Sequence, residues 1–189
     1  MSRLPYLRRD DLSDSGQAVW DSITKTRGDA VVNAEGGLIG PFNAWLFAPD
    51  VGSRLADLGA TLRFGTSVDR LLLELAIITV GAYWKAEFEW WAHSRMAREH
   101  GVAAEVVDAI GRGETPEFDR DDQRIVYTLA RQLVTHGAAD DLTYDAAREV
   151  LGDRGLVEIV SLCGYYTLVS FSLNAFKVPL PPGVSPTWP

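Results

Sequence analysis

The chain of 189 residues is 47% hydrophobic and carries a formal net charge of -8 at pH 7. A chain of this length and apolar content can bury one substantial core, so a single globular domain is expected over residues 1–189. The acidic balance and the lack of any run of Lys or Arg argue against nucleic acid or an anionic membrane as a partner.

The N-terminal sequence from Met1 to Pro5 lacks the basic stretch and apolar region of a secretory signal. No apolar run approaches the ~20 residues that a membrane-spanning helix needs. We therefore expect a cytoplasmic protein with no membrane partner. The lone cysteine, Cys163, lies in an apolar segment, where it is expected to serve as a small buried hydrophobe.

Apolar residues recur at helical spacing through most of the chain, and alternating segments bounded by hairpin turns are absent. The pattern predicts an all-α fold. Its first helix is expected from about Ser13 to Arg27, within a helical N-terminal extension of about residues 1–40. A glycine-rich segment, residues 35–42, follows as a connector or as a loop shaped to approach a ligand. The next helix is expected over residues 49–64.

A central helix is predicted from Asp69 to about Tyr83, because this segment is apolar nearly all round. Within it, Glu74 is the sole charged residue after Arg70. A buried carboxylate is unfavourable unless it is paired or held neutral with a raised pKa. Two interpretations stay open for Glu74, an ion pair with Arg70 or a place in a proton relay.

The second half of the chain predicts scaffold helices and a proline-rich end. The expected helices cover about residues 104–110, 119–136, 143–151 and 156–176. The last of these has few charges and is expected in the core or in a subunit interface. An extended tail, about residues 177–189, follows because its prolines exclude helix. Within the tail, Leu180 and Trp188 could anchor the chain on a neighbouring element.

The segment from Trp84 to His93 contains the chemically most informative pair. If the whole segment is helical, Glu89 and His93 lie four residues apart on one face, within reach of each other. A carboxylate beside an imidazole can donate and accept protons near neutral pH, provided that apolar walls exclude bulk water. Three nearby tryptophans could form such walls.

The helix that bears Glu74, followed by the segment from Tyr83 to His93, resembles the carboxymuconolactone decarboxylase and AhpD-like alkylhydroperoxidase family. Gly40-Pro41-Phe42 near the front and the closing segment from Gly155 to Phe176 also look like parts of longer members of that family. The resemblance spans about residues 40–180. It implies an AhpD-like helical bundle and a soluble enzyme that assembles as a trimer or hexamer.

One departure from the family's pattern concerns its cysteines. The peroxidase branch has a Cys-x-x-Cys pair, then three residues and a His, with a Glu on the preceding helix. His93 and Glu74 match this pattern, whereas the two cysteine positions hold Ala86 and Glu89. A thiol peroxidase needs one thiolate to attack the peroxide and a second thiol to resolve the product. The resemblance therefore implies the fold and the acid–base residues without thiol peroxidase activity.

The first functional hypothesis is a cofactor-independent acid–base enzyme, such as a decarboxylase, another lyase or an isomerase, acting on a small organic acid or lactone-like substrate. His93 would donate the proton, Glu89 would orient and tune it, and Glu74 would complete the relay. The predicted substrate-binding residues are Phe42, Tyr83, Lys85 and Trp90.

The second hypothesis is a non-catalytic, oligomeric small-molecule-binding protein in which Glu89 and His93 form a structural pair. A histidine packed in a filled core, with no cavity beside it, would favour this hypothesis. His93→Ala would then lower stability by ~3–5 kcal/mol, whereas a catalytic histidine in an open pocket predicts lost activity with little change in stability. In either case, the nearly uncharged helices predict a homo-oligomer, as a trimer, hexamer or dimer.

A metal-dependent enzyme is a third hypothesis, with Glu74, Glu89 and His93 as ligands. The Glu-x-x-x-His spacing differs from the Glu-x-x-His spacing of di-iron helical bundles, and no second histidine is placed nearby. The sequence therefore predicts no metal and no cofactor.

Overall fold

The computed structural model describes residues 2–188, so Met1 and Pro189 of the predicted domain lie outside it. Within residues 2–188 there are eight α-helices and no β-strand, which confirms the predicted all-α fold. The helices are α1 (Asp14–Arg27), α2 (Phe42–Trp45), α3 (Pro49–Phe64), α4 (Arg70–Tyr83), α5 (Glu87–Glu99), α6 (Ala104–Arg112), α7 (Asp121–His136) and α8 (Asp141–Ala175).

Helix α4 lies at the centre of the bundle, as its apolar sequence predicts. It begins where the Asp69 side chain accepts a hydrogen bond of 2.8 Å from the backbone N–H of Leu71, which satisfies one of the free donors of a helix start. Every residue from Leu71 to Gly81 is buried, and α4 packs against α5, α7 and α8. Glu74 is consequently held away from water on all sides.

The connection between α4 and α5 corrects one sequence prediction. Trp84 was expected on the same helix as His93, but α5 begins only at Glu87. The chain reverses at Lys85, whose φ of 49° is positive and therefore incompatible with a continuous right-handed helix. As a result, Glu89 lies in the first turn of α5, where the helix dipole favours a negative charge.

The longest helix, α8, contains a break at Gly152, whose φ of 67° and ψ of 171° are not helical. The break separates two helical segments that correspond to the predicted ones. Together they are long and apolar enough to cross a membrane, with a mean hydropathy of 1.6 over the most apolar window, which the sequence prediction overlooked. Half of that window is buried inside the bundle.

The N-terminal extension packs against α3 through α1. The glycine-rich segment that follows approaches α5 closely at Gly40, which has a φ of +64° and where an added Cβ would lie 2.9 Å from Phe88 Cε1. Only glycine fits this position without strain. The close approach brings the short helix α2, which the sequence did not predict, beside the N-terminal end of α5.

The end of the described chain is fixed on α5 and α6. The Glu87 carboxylate accepts hydrogen bonds of 2.9 and 2.8 Å from the backbone N–H groups of Thr187 and Trp188. The Trp188 indole N–H donates to the carbonyl oxygen of Gly111 at 2.9 Å, and its ring lies 5.5 Å from that of Trp90. Trp188 is therefore an anchor, one of the two expected from the sequence.

Candidate active site

The structure brings together the three predicted catalytic residues, Glu74 from α4 and Glu89 and His93 from α5. His93 Nδ1 lies 2.6 Å from Glu74 Oε2, and His93 Nε2 lies 2.9 Å from Glu89 Oε1. The second Glu74 oxygen, Oε1, lies 2.6 Å from Arg70 Nη2. The ion pair of Glu74 with Arg70 is thus present, and Glu74 also contacts the histidine that the predicted relay would use.

Burial and charge act in opposite directions on this group. Burial alone would lower the pKa of His93, but the adjacent carboxylates of Glu89 and Glu74 outweigh it and raise that pKa above 6.5. Burial would raise the pKa of Glu74, but His93 and Arg70 outweigh it and lower that pKa. Both shifts favour the ion-paired form, in which an imidazolium donates its two N–H groups to the carboxylates on either side.

A cavity of about 420 Å³ adjoins this group. Glu89 and His93 lie in its wall, whereas Glu74 is fully buried behind them. The apolar part of the wall includes residues of the glycine-rich segment, α2, α5 and α8, namely Ile39, Phe42, Trp45, Phe88, Trp91, Met96 and Val169. The histidine is thus not packed in a filled core, and the cavity can admit a small molecule of about the size of a two-ring compound.

Only one of the four predicted substrate-binding residues, Phe42, lines this cavity. Consecutive residues are rotated by about 100° around a helix, so Trp90 does not share the face of Glu89. Trp90 is instead buried against Trp188. Tyr83 and Lys85 line a separate cavity of about 160 Å³. The structure therefore does not bring these three residues to His93.

Four cavity residues were not expected from the sequence. Arg27 lies at the end of α1, Arg63 near the end of α3, and Tyr165 and Tyr166 on α8. The Tyr166 ring meets the His93 ring edge to face, with centroids 5.2 Å apart. Burial raises the pKa of Tyr166 well above its ordinary value of 10.0, so its hydroxyl remains protonated. No local spacing pattern links these four residues to the Glu89–His93 pair.

Metal ligation finds little support in this geometry. Among residues 2–188, no group of three or more His, Cys, Asp or Glu side chains is arranged to hold a metal ion. Both His93 ring nitrogens point at carboxylate oxygens at hydrogen-bonding distance, so each is already occupied by a hydrogen bond.

No protein-family model and no curated protein matches this sequence. The fold, in contrast, is similar to several solved structures. A peroxidase-related protein from Ralstonia eutropha, described as an alkylhydroperoxidase AhpD core, superposes with a TM-score of 0.76 at 16% identity, over 94% of this chain and 91% of that one. The chain has the AhpD fold.

Two further neighbours have the same fold. A peroxidase-related protein from a Silicibacter species has a TM-score of 0.71 at 15% identity, over 94% of this chain and 91% of that one. A variant of the debrominase Bmp8 in complex with 2,3,4-tribromopyrrole has a TM-score of 0.73 at 15% identity, over 96% and 95% of the two chains. The AhpD fold thus includes enzymes that convert small molecules.

Proposed function

We propose that this AhpD-fold protein is a cofactor-independent acid–base enzyme, a decarboxylase, other lyase or isomerase, that converts a small organic acid or lactone-like substrate. The observation that carries the proposal is the placement of His93 in the wall of an apolar cavity, with its two ring nitrogens 2.6 and 2.9 Å from the carboxylates of Glu74 and Glu89. A carboxylate and an imidazolium that share a proton at a water-poor surface are equipped for proton transfer to carbon.

In a decarboxylation, the bond to the departing carboxylate breaks and its electron pair remains on the substrate as a dienolate while CO₂ leaves. His93 then supplies a proton to the dienolate carbon, either directly or through Glu89, since both lie in the cavity wall. The imidazole regains its proton from water. The buried Glu74 carboxylate favours this uptake of a proton from water, because its negative charge stabilises the imidazolium.

Proton transfer to carbon can be tested before the substrate is known. The protein would be incubated in D₂O with a panel of small unsaturated acids and carboxylated lactones, and the products followed by NMR. We expect enzyme-dependent deuterium incorporation at carbon for at least one compound, with or without loss of CO₂. Compounds that bind in the cavity but never exchange would instead favour the non-catalytic binding protein.

We expect no thiol-dependent peroxidase activity. Ala86 and Glu89 occupy the two cysteine positions, and burial raises the pKa of Cys163 to about 12, so this thiol is not ionised at neutral pH. The measurement is consumption of an organic hydroperoxide with a dithiol reductant. Turnover that disappears in Cys163→Ser would contradict the expectation.

We also propose that the protein is a homo-oligomer that contacts its copies through α8. An apolar stripe at helical spacing remains solvent-exposed on this helix and comprises Val157, Val160, Leu168 and Phe171. Exposed stripes of this kind commonly mark subunit interfaces. Light scattering should report a mass that is a multiple of 20.8 kDa, and Val160→Glu should shift it towards the monomer. A monomeric unmodified protein at micromolar concentration would contradict the proposal.

A further inference from the structure

Two arginines in the cavity wall, Arg27 and Arg63, differ from most arginines of the protein. Most arginines elsewhere on the described chain form ion pairs with carboxylates, including Arg9 with Asp21, Arg98 with Asp108 and Arg112 with Glu114. Arg95, the third arginine of the cavity wall, pairs with Glu99. Neither Arg27 nor Arg63 forms an ion pair among residues 2–188, and Arg63 acts on Glu74 only from a longer distance. The cavity wall thus contains two cations without a direct carboxylate partner.

Both guanidinium groups are held in place by apolar neighbours. Arg27 lies over the ring of Phe42 at 4.8 Å, and Arg63 lies over the ring of Phe64 at 5.2 Å. The Nε atoms of both arginines are buried without a hydrogen-bond partner in the described structure. Buried N–H donors are nearly always satisfied in folded proteins, so an unsatisfied pair in one cavity indicates a missing acceptor.

The two cations also act on each other. Burial lowers the pKa of Arg27, and the positive charge of Arg63 lowers it further. Tyr165 lies in the same wall. Burial raises the pKa of its hydroxyl, the positive charges of Arg27 and Arg63 act to lower that pKa, and the negative charge of Glu89 raises it. The unfavourable proximity of like charges would be relieved by an anion bound between them.

We infer that Arg27 and Arg63 form a carboxylate-binding subsite that holds the anionic group of the substrate in the cavity beside Glu89 and His93. The inference rests on the proposed function, because it identifies the substrate of that site as a carboxylate. Guanidinium groups bind carboxylates through paired N–H donors, which fixes orientation as well as charge. The aromatic walls select an organic anion with a flat apolar body over an inorganic one.

The subsite also gives the N-terminal extension a role. Arg27 comes from the last residue of α1 and lies in the cavity wall, so in this proposal the extension contributes a cation to substrate binding.

Calorimetric titration with 2-naphthoate and with its neutral amide, 2-naphthamide, tests the inference without a known substrate. The unmodified protein should bind 2-naphthoate at least about tenfold more tightly than 2-naphthamide. Arg27→Gln and Arg63→Gln should each weaken 2-naphthoate binding by about tenfold or more and leave 2-naphthamide binding unchanged. Arg54→Gln is the matched control, because Arg54 lies on α3 with Arg63 but is exposed and away from the cavity.

Thermal unfolding without ligand provides the folding control. Both cavity variants should unfold near the temperature of the unmodified protein, because both side chains are only partly buried and the repulsion between them offsets the favourable contacts that each loses. Arg63→Lys replaces Arg63→Gln if the latter does not fold, and it should weaken 2-naphthoate binding while retaining the charge.

Equal affinity for the carboxylate and the amide, or 2-naphthoate affinity that is unaffected by both arginine variants, would overturn the inference. Inorganic phosphate that binds more tightly than 2-naphthoate would also overturn it, because the ligand would then not be an organic acid. Glu89→Gln separates this result from the proposed function. It should retain 2-naphthoate binding even where proton transfer is lost, and carboxylate binding by a protein that never exchanges protons would refute only the enzymatic proposal.

Discussion

Glu89→Gln should lower kcat for the substrate found by the D₂O screen by about 10²- to 10⁴-fold, the usual contribution of a positioned acid–base group. The amide keeps the size of the carboxylate and can still accept a hydrogen bond from His93 Nε2, but it cannot take up a proton. Since Glu89 lies at the cavity surface and Glu74 still neutralises His93, stability should change little. Steady-state kinetics and thermal unfolding measure the two effects.

Glu87→Gln is the control for this variant. Glu87 is on the same turn of α5 but faces the tail, where its carboxylate accepts hydrogen bonds from the backbone N–H groups of residues 187 and 188. The kcat of Glu87→Gln should stay within about threefold of that of the unmodified protein, whereas the loss of an acid–base group lowers kcat much further. A Glu89→Gln enzyme with unchanged kcat would exclude Glu89 from the reaction.

The sequence sufficed for the parts of the site that depend on local helical geometry. The spacing of Glu89 and His93 predicted a contact that the structure shows at 2.9 Å. The apolar surroundings of Glu74 in the sequence predicted a buried carboxylate in need of partners, and the structure provides Arg70 and His93. The helical repeat thus predicts which side chains share a face, and the apolar residues around them predict whether that face is buried.

The cavity walls could not be predicted in this way. Tyr83 and Lys85 were assigned to the pocket because they are close to Glu89 along the chain, but the reversal at Lys85 turns them towards another cavity. Arg27 and Tyr166 reach the site from helices far away in sequence. Which helices cross near His93 depends on the packing of the whole bundle, and no local pattern encodes it.

His93→Ala should lower the free energy of unfolding by ~3–5 kcal/mol, in addition to abolishing activity. The structure places His93 in the cavity wall, where the catalytic hypothesis needs it, and also beside Glu74, a carboxylate with no solvent exposure that needs a charge partner. Removing the imidazolium leaves that carboxylate with Arg70 as its one charged contact. Urea denaturation at pH 5.5 measures the loss.

A double variant separates the unpaired charge from lost packing. If the loss comes from the stranded carboxylate, Glu74→Gln combined with His93→Ala should be more stable than His93→Ala alone, because the amide can be buried at lower cost than a charge. Arg70 remains partly exposed, so water can satisfy it. A double variant that is less stable than both single variants would assign the loss to packing.

The pH dependence of this effect has a definite sign. The pKa of His93 is raised above its ordinary value of 6.5, so its contribution to stability is fully present below pH 6.5 and is lost as pH rises through the raised pKa. The pKa of Glu74 is lowered below 4.5, so its contribution is present above pH 4.5 and is lost as pH falls through the lowered pKa. The stability difference between the unmodified protein and His93→Ala should therefore be largest between pH 4.5 and 6.5.

Urea denaturation at a series of pH values, with His136→Ala as the control, measures this profile. His136 is exposed at the end of α7 and its removal should leave the pH dependence of the unmodified protein unchanged. In His93→Ala, the decline of stability as pH rises from 6.5 should be smaller than in the unmodified protein, because the group responsible is gone. A His93→Ala profile parallel to that of the unmodified protein would show that His93 is not an imidazolium in the folded state, and the proton donor of the proposed reaction would then have to be sought elsewhere in the cavity wall.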